Sequence, residues 1–115
     1  MSENKIYSFI GLARKAGAVI LGEALSVKAV RQGKAHLAII ALDASENTTK
    51  KIETALFNTN IPMARFGSRE ELGQILGKPF ISVLTVTDKG FAKRLQEMIY
   101  DINKNNSTHG GGVFE

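Results

Sequence analysis

An α/β fold, a three-layer α/β/α sandwich around a four-stranded mixed sheet, is what this sequence predicts. Three observations carry that expectation. Four short apolar runs, "AVIL", "HLAIIAL", "IPMARF" and "ISVLTV", alternate with segments whose apolar residues recur every three to four positions. The run "HLAIIAL" has no polar alternation, as a strand covered on both faces requires. Helix start and stop signals separate the runs, so strands and helices interleave, which is the pattern of a layered α/β domain.

Taken in order, Ile6, Phe9, Ile10 and Ala13 give the stripe of a first amphipathic helix that ends between Lys15 and Gly17. "AVIL" follows as a short buried strand. A second helix from Glu23 to about Gln32 pairs Leu25 with Ala29 and Val27 with Val30 on its apolar face, and Gly33 stops it. After the buried strand "HLAIIAL", Ser45 is the expected N-cap of a third helix through Ile52, Ala55 and Leu56. "IPMARF" is the third strand. In "SREELGQIL", Ser68 and Glu71 form a capping box, and Leu72 with Ile75 or Leu76 supplies the stripe of a fourth helix. "ISVLTV" is the last strand, and Phe91, Leu95, Met98 or Ile99, and Ile102 line a closing helix that begins near Thr87 or Asp88. One domain over residues 1–103 is expected, with 104–115, polar and glycine-rich, as a flexible tail.

Composition narrows the function classes. The chain has 115 residues, 43% hydrophobic and 23% charged, which suits one globular core. It has no cysteine, so a disulfide framework, a thiolate zinc site and a cysteine nucleophile are excluded together. No apolar run reaches the roughly 20 residues of a membrane helix, and "MSENKIYS" lacks the basic and apolar regions of a signal peptide, so a cytoplasmic location is expected. The formal charge is +4, and residues 1–34 carry all of it. Lys5, Arg14, Lys15, Lys28, Arg31 and Lys34 stand there against Glu3 and Glu23, while the rest of the chain is balanced. Such asymmetry points to a polyanionic partner.

Two constellations offer chemistry. Gly22 opening the second helix leaves backbone N–H groups and a positive dipole end for a phosphate or an RNA backbone oxygen, although it equally suits a plain tight turn. Lys28 and Arg31 share one face of that helix, and Arg14 and Lys15 close the preceding one, where they can join the same surface or simply complement a helix dipole. Asp43 at the end of a buried strand, with Lys89 near another strand end, is the most enzyme-like feature and suggests a receiver-like phosphoacceptor; Asp43 as a turn or cap residue is the alternative. His36 and His109 do not make a spaced metal motif, and phosphate loops and nucleophile elbows are absent from the sequence. Neither a catalytic centre nor a metal or cofactor is expected.

The runs "GLARKAG", "GEALSVKAVRQGKAHLAIIALDASENT", "REELG" and "VTDKGFAKRL", in this order, resemble the bacterial L-seven-Ae family of ribosomal proteins, and more narrowly its YlxQ type, over roughly residues 5–102. The resemblance implies the same α/β/α sandwich and an RNA-binding role, with ribosomal or kink-turn RNA as partner, the ribosome or translation factors nearby, and a monomer. It assigns the RNA contact to the start of the second helix and the loop after the last strand. On this chain those elements run from Gly22 through Lys28 and from Val86 through Gly90; with the basic Arg14, Lys15 and Arg31 added from the charge pattern, the expected surface comprises Arg14, Lys15, Gly22, Glu23, Ser26, Lys28, Arg31, Thr87, Asp88 and Lys89. Lys28 matches the family lysine. Where family members carry an Asn-Glu pair that reads sheared G·A bases, this chain has Ala24 and Leu25, which lack polar side-chain atoms. An adaptor of the translation apparatus, using these two as an apolar contact, is a third reading.

Overall fold

The apolar periodicities resolve into five helices and four strands in a computed structural model, which describes residues 2–111, with side chains to residue 105. The order is α1 (Glu3–Lys15), β1 (Val19–Leu21), α2 (Glu23–Arg31), β2 (Leu37–Ile40), α3 (Glu46–Leu56), β3 (Met63–Arg65), α4 (Arg69–Leu76), β4 (Val83–Val86) and α5 (Lys89–Gly111). The four strands form one mixed sheet in the order β1-β4-β2-β3. β4 lies between β1 and β2 and runs antiparallel to both, whereas β2 and β3 are parallel.

This topology explains the apolar strands. β2 and β4 are central and all eight of their residues are buried. Side-chain alternation sends Leu37, Ile39, Leu84 and Val86 to one face, where they pack with Ile6, Ile10, Leu72, Leu95 and Ile99 of α1, α4 and α5. Ala38, Ile40 and Val83 face the other way, toward Val27 of α2 and Ile52 of α3. Helices therefore cover both faces, and the expected sandwich is observed. Ser45 caps α3 by accepting the Thr48 N–H at 3.1 Å, and Gly33 follows α2 at φ 73°, a conformation that favours glycine.

Several expectations need correction. β1 is an edge strand and only half buried, because it has β4 on one side and, among the described residues, no strand on the other. Leu25 is 57% exposed; the buried face of α2 is Ser26, Ala29 and Val30 instead. Of the two alternatives for the stripe of α4, Leu76 is the one that fills the core beside Leu72, as the sequence allowed, and Ile75 is exposed. The capping box at Ser68 is modified by a distant side chain. Ser68 Oγ accepts the Glu71 N–H at 3.1 Å, but the Ser68 N–H donates to the Tyr7 hydroxyl, which in turn donates to Glu71 Oε1 at 2.9 Å. Burial first, then this bond to Glu71, pushes the Tyr7 pKa up to about 12. Finally, α5 continues past residue 103 to Gly111, so helix occupies much of the expected tail; residues 112–115 and the His109 side chain lie outside the described part.

Candidate functional site

Four of the five described helices begin with a side chain folded back on their first amides. Ser2 accepts from Lys5, Ser45 from Thr48, Ser68 from Glu71 and Asp88 from Phe91. α2 has no such cap. Gly22 precedes it at φ 96° and ψ 161°, a region essentially restricted to glycine, and donates its own N–H to the Val83 carbonyl at 2.9 Å. Ser26 is the first residue of α2 whose N–H reaches back along the helix, to the Gly22 carbonyl at 3.0 Å. The amides of Glu23, Ala24 and Leu25 thus have no intrahelical acceptor and lie at the positive end of the helix dipole.

The surroundings of this helix start are charged but largely paired. Glu23 Oε2 lies 3.2 Å from Lys51 Nζ of α3. The Thr48 hydroxyl, then Lys51, hold the Glu23 carboxyl below the usual carboxylate range. Ala24, Leu25 and Lys28 are exposed. Because Gly22 is tied to Val83, the segment 77–82 that leads into β4 ends against the start of α2. It exposes Lys78 and Phe80, and the Arg69 guanidinium lies 5.6 Å from the Phe80 ring centroid. The sequence expectation missed this segment, although a lysine, a proline and an aromatic in "GKPF" just after a helix stop were a legible signal.

The ten residues expected to form one surface do not do so. Gly22 and Glu23 stand at the start of α2 and Lys28 on its exposed face. Ser26 is fully buried beneath the helix, where its Oγ accepts from Thr85 Oγ1 at 3.3 Å, so it holds α2 on the sheet and presents nothing to a ligand. Arg14 lies in the opposite helical layer and donates to the Leu76 carbonyl at the end of α4. Thr87, Asp88 and Lys89 follow β4, and β4 is antiparallel to β1. They therefore sit where β1 starts, with the Thr87 N–H on the Ala18 carbonyl at 2.8 Å, and not where α2 starts. Lys15 and Arg31, at the ends of α1 and α2, belong to that same far end.

The same geometry dismantles the receiver-like pair. Asp43 follows β2 and Lys89 follows β4, so the two are at opposite ends of the sheet. Asp43 instead accepts the Arg69 N–H at 2.8 Å and lies 3.5 Å from Arg69 Nε. The Arg69 amide first, and its charge after it, hold the Asp43 carboxyl low. Asp43 is thus an N-terminal anchor for α4. Among the described residues, no cluster of three His, Cys, Asp or Glu side chains is arranged to hold a metal, and no helix is long and apolar enough to cross a membrane.

Comparison with known proteins agrees with this architecture. The RNA-binding protein YlxQ of Enterococcus faecium is 39% identical over 85% of this chain and 94% of its own length. The RNA-binding protein YlxQ of Bacillus subtilis is 36% identical over 86% of this chain and 99% of its own. A solved structure of a Bacillus halodurans protein of unknown function superposes with a TM-score of 0.79 at 37% identity, covering 83% of this chain and 96% of that one. The profile of the ribosomal protein L7Ae/L30e/S12e/Gadd45 family matches residues 4–96, and the chain belongs to that family.

Proposed function

We propose that this chain binds structured RNA, of ribosomal or kink-turn type, by presenting the uncapped start of α2 to backbone phosphates. The observation that carries this reading is the contrast between α2 and its four capped neighbours: three amides at a dipole's positive end have been left open. Lys28 on the exposed face of α2, and Lys78 in the segment that ends against Gly22, supply cations for the same backbone. Phe80 offers a ring face on which an unpaired base can stack. The names of the YlxQ relatives, RNA-binding proteins, support the same partner. The role is binding without catalysis, in the cytoplasm, by a monomer acting with the ribosome or translation factors.

Ala24 and Leu25 bear on selectivity. Neither side chain can accept or donate a hydrogen bond to a base edge, and Glu23 is engaged by Thr48 and Lys51. Recognition at this helix start then rests on backbone amides and RNA shape. The test is binding of the purified protein to a kink-turn RNA and to the same RNA with its G·A pairs replaced, across a salt series. Binding that needs the G·A pairs establishes kink-turn selectivity, and equal salt-sensitive binding to both establishes a general structured-RNA binder. Absence of binding to either rejects the proposal and favours the adaptor, with Leu25 and Phe80 as its apolar contact. In the double variant Lys28→Ala, Lys78→Ala, the salt slope should flatten by about 1 for each phosphate that is no longer neutralised.

A further inference from the structure

The far end of the sheet carries a second charge arrangement. There the turn after α1, the turn after α2 and the start of α5 are laced together by backbone bonds, Thr87 N–H to Ala18 at 2.8 Å and His36 N–H to Val86 at 2.8 Å. Lys15, Arg31, Lys34, Lys89 and Lys93 belong to these segments and all five are exposed. Among the described residues none of the five forms an ion pair, whereas Lys50, Lys51, Arg69 and Arg94 all do. The carboxylate of these segments, Asp88, is occupied in capping α5 through the Phe91 N–H at 2.9 Å.

The opposite end is built differently. Glu3, Glu23, Asp43, Glu46, Glu70 and Glu71 fall where β1, β2 and β3 finish or where α1, α3 and α4 begin, but Lys5, Lys50, Lys51, Arg65 and Arg69 stand among them, with Lys50, Lys51 and Arg69 paired to Glu46, Glu23 and Asp43. The fold thus neutralises charge at one end of the strands and, among the described residues, leaves unpaired positive charge at the other. Lys89 and Lys93, one helical turn apart, repel each other, and Lys89 in the first turn of α5 also opposes the helix dipole.

From this contrast, and resting on the RNA-binding reading above, we infer that Lys15, Arg31, Lys34, Lys89 and Lys93 form a second phosphate-binding surface, so that one chain holds two RNA segments at once. α2 spans the gap between the surfaces: nine residues at about 1.5 Å each keep Gly22 and Arg31 about 13 Å apart, and the lysine side chains extend outward from there. The α2 end supplies open amides with few free cations. The far end supplies the free cations, and it should account for most of the counterion release on binding.

The experiment uses a kink-turn RNA hairpin labelled in two colours, donor on one half of the molecules and acceptor on the other, titrated with the full chain while energy transfer and RNA retention are read together. The variants are Lys15→Ala, Lys34→Ala, Lys89→Ala, Lys93→Ala combined, and the same four positions changed to Arg, each checked for folding by circular dichroism. Wild type and the Arg variant should retain RNA and give energy transfer. The Ala variant should retain RNA without energy transfer, with a salt slope flatter by roughly 4, at about 0.9 for each phosphate that is no longer neutralised. The inference is overturned if wild type retains RNA without energy transfer, or if the Ala variant transfers as well as wild type. It also falls if the Ala variant retains no RNA, because the far end is then the single site. If wild type retains no RNA at all, the RNA-binding proposal itself has failed.

Discussion

Replacing Gly22 by L-alanine and by D-alanine should move stability in opposite directions. At φ 96° and ψ 161° an L residue is strained by about 1–3 kcal/mol, while a Cβ at this position meets nothing within 4 Å. Packing therefore contributes no penalty, and the cost is purely one of backbone conformation. Any alanine also restricts the unfolded chain, which stabilises by about 0.4–1 kcal/mol. The net expectation for L-alanine is a loss of about 1–2 kcal/mol, or roughly 4 °C in Tm per kcal/mol for a domain of this size. D-alanine, which adopts positive φ without strain, should gain about 0.4–1 kcal/mol by the same unfolded-state effect. Urea unfolding of the two synthetic chains beside wild type reads both numbers. If both alanines shift stability the same way, the restraint at Gly22 is not conformational, and the account of how α2 is aimed must be abandoned. RNA affinity adds a functional arm. The L variant should bind more weakly because relaxing residue 22 reorients the open amides, whereas the D variant should bind like wild type.

Three further outcomes follow from the packing and the charges. Gly73→Ala places a Cβ 2.5 Å from the Lys78 carbonyl and 2.8 Å from that of Pro79, so the 77–82 segment must shift; a loss of about 1–3 kcal/mol in thermal or urea unfolding is expected, with RNA affinity falling alongside it. Ser26→Ala should cost about 1–3 kcal/mol by orphaning the buried Thr85 hydroxyl, whereas Ser26→Ala with Thr85→Val should be close to neutral, and neither should alter RNA affinity if Ser26 is structural. The Glu23 and Asp43 carboxyls titrate below their ordinary values, so each adds stability above its unfolded pKa that is lost as pH falls through the folded one. Lys51→Ala should raise the Glu23 midpoint, followed by carboxyl NMR, and leave that of Asp43 in place.

The layers of this fold were legible because burial leaves a periodic trace in sequence. β2 and β4 are apolar without alternation since helices cover both faces, and Ser45, Ser68 and Gly33 announce helix ends through local backbone chemistry. Leu25 misled for a physical reason. Its spacing to Ala29 fits an apolar stripe, but the core side of α2 is set by small residues, Ser26 and Ala29, that let the helix approach the sheet. A hydroxyl can occupy such a position only if a partner such as Thr85 lies across from it, and no local pattern reveals a partner 59 residues away. Tyr7 in the Ser68 capping box is the same case, a modification made by a side chain 61 residues distant.

The expected surface divides in two because of the direction of a single strand. Nothing in "ISVLTV" says whether it runs with or against "AVIL", yet that choice decides which loop meets the start of α2. With β4 antiparallel, the preceding segment 77–82 comes to Gly22, and Thr87, Asp88 and Lys89 go to the other end. The consequence for charge is larger than for any one contact. α1 and α2 begin at the α2 end and finish at the far end, so their acidic first turns and basic last turns, each favourable to its own helix dipole, fall at opposite ends, while α3 and α4 add acidic first turns but no basic last turn. Lys15 and Arg31 reach the far end in this way as ordinary helix C-termini. Lys89 and Lys93 do not, since Lys89 lies in the first turn of α5, where the dipole disfavours it, and Lys93 one turn on is repelled by Lys89. Their presence beside Lys15, Arg31 and Lys34 is the part of the charge pattern that dipole complementarity leaves unexplained, and a polyanion held at that end explains it.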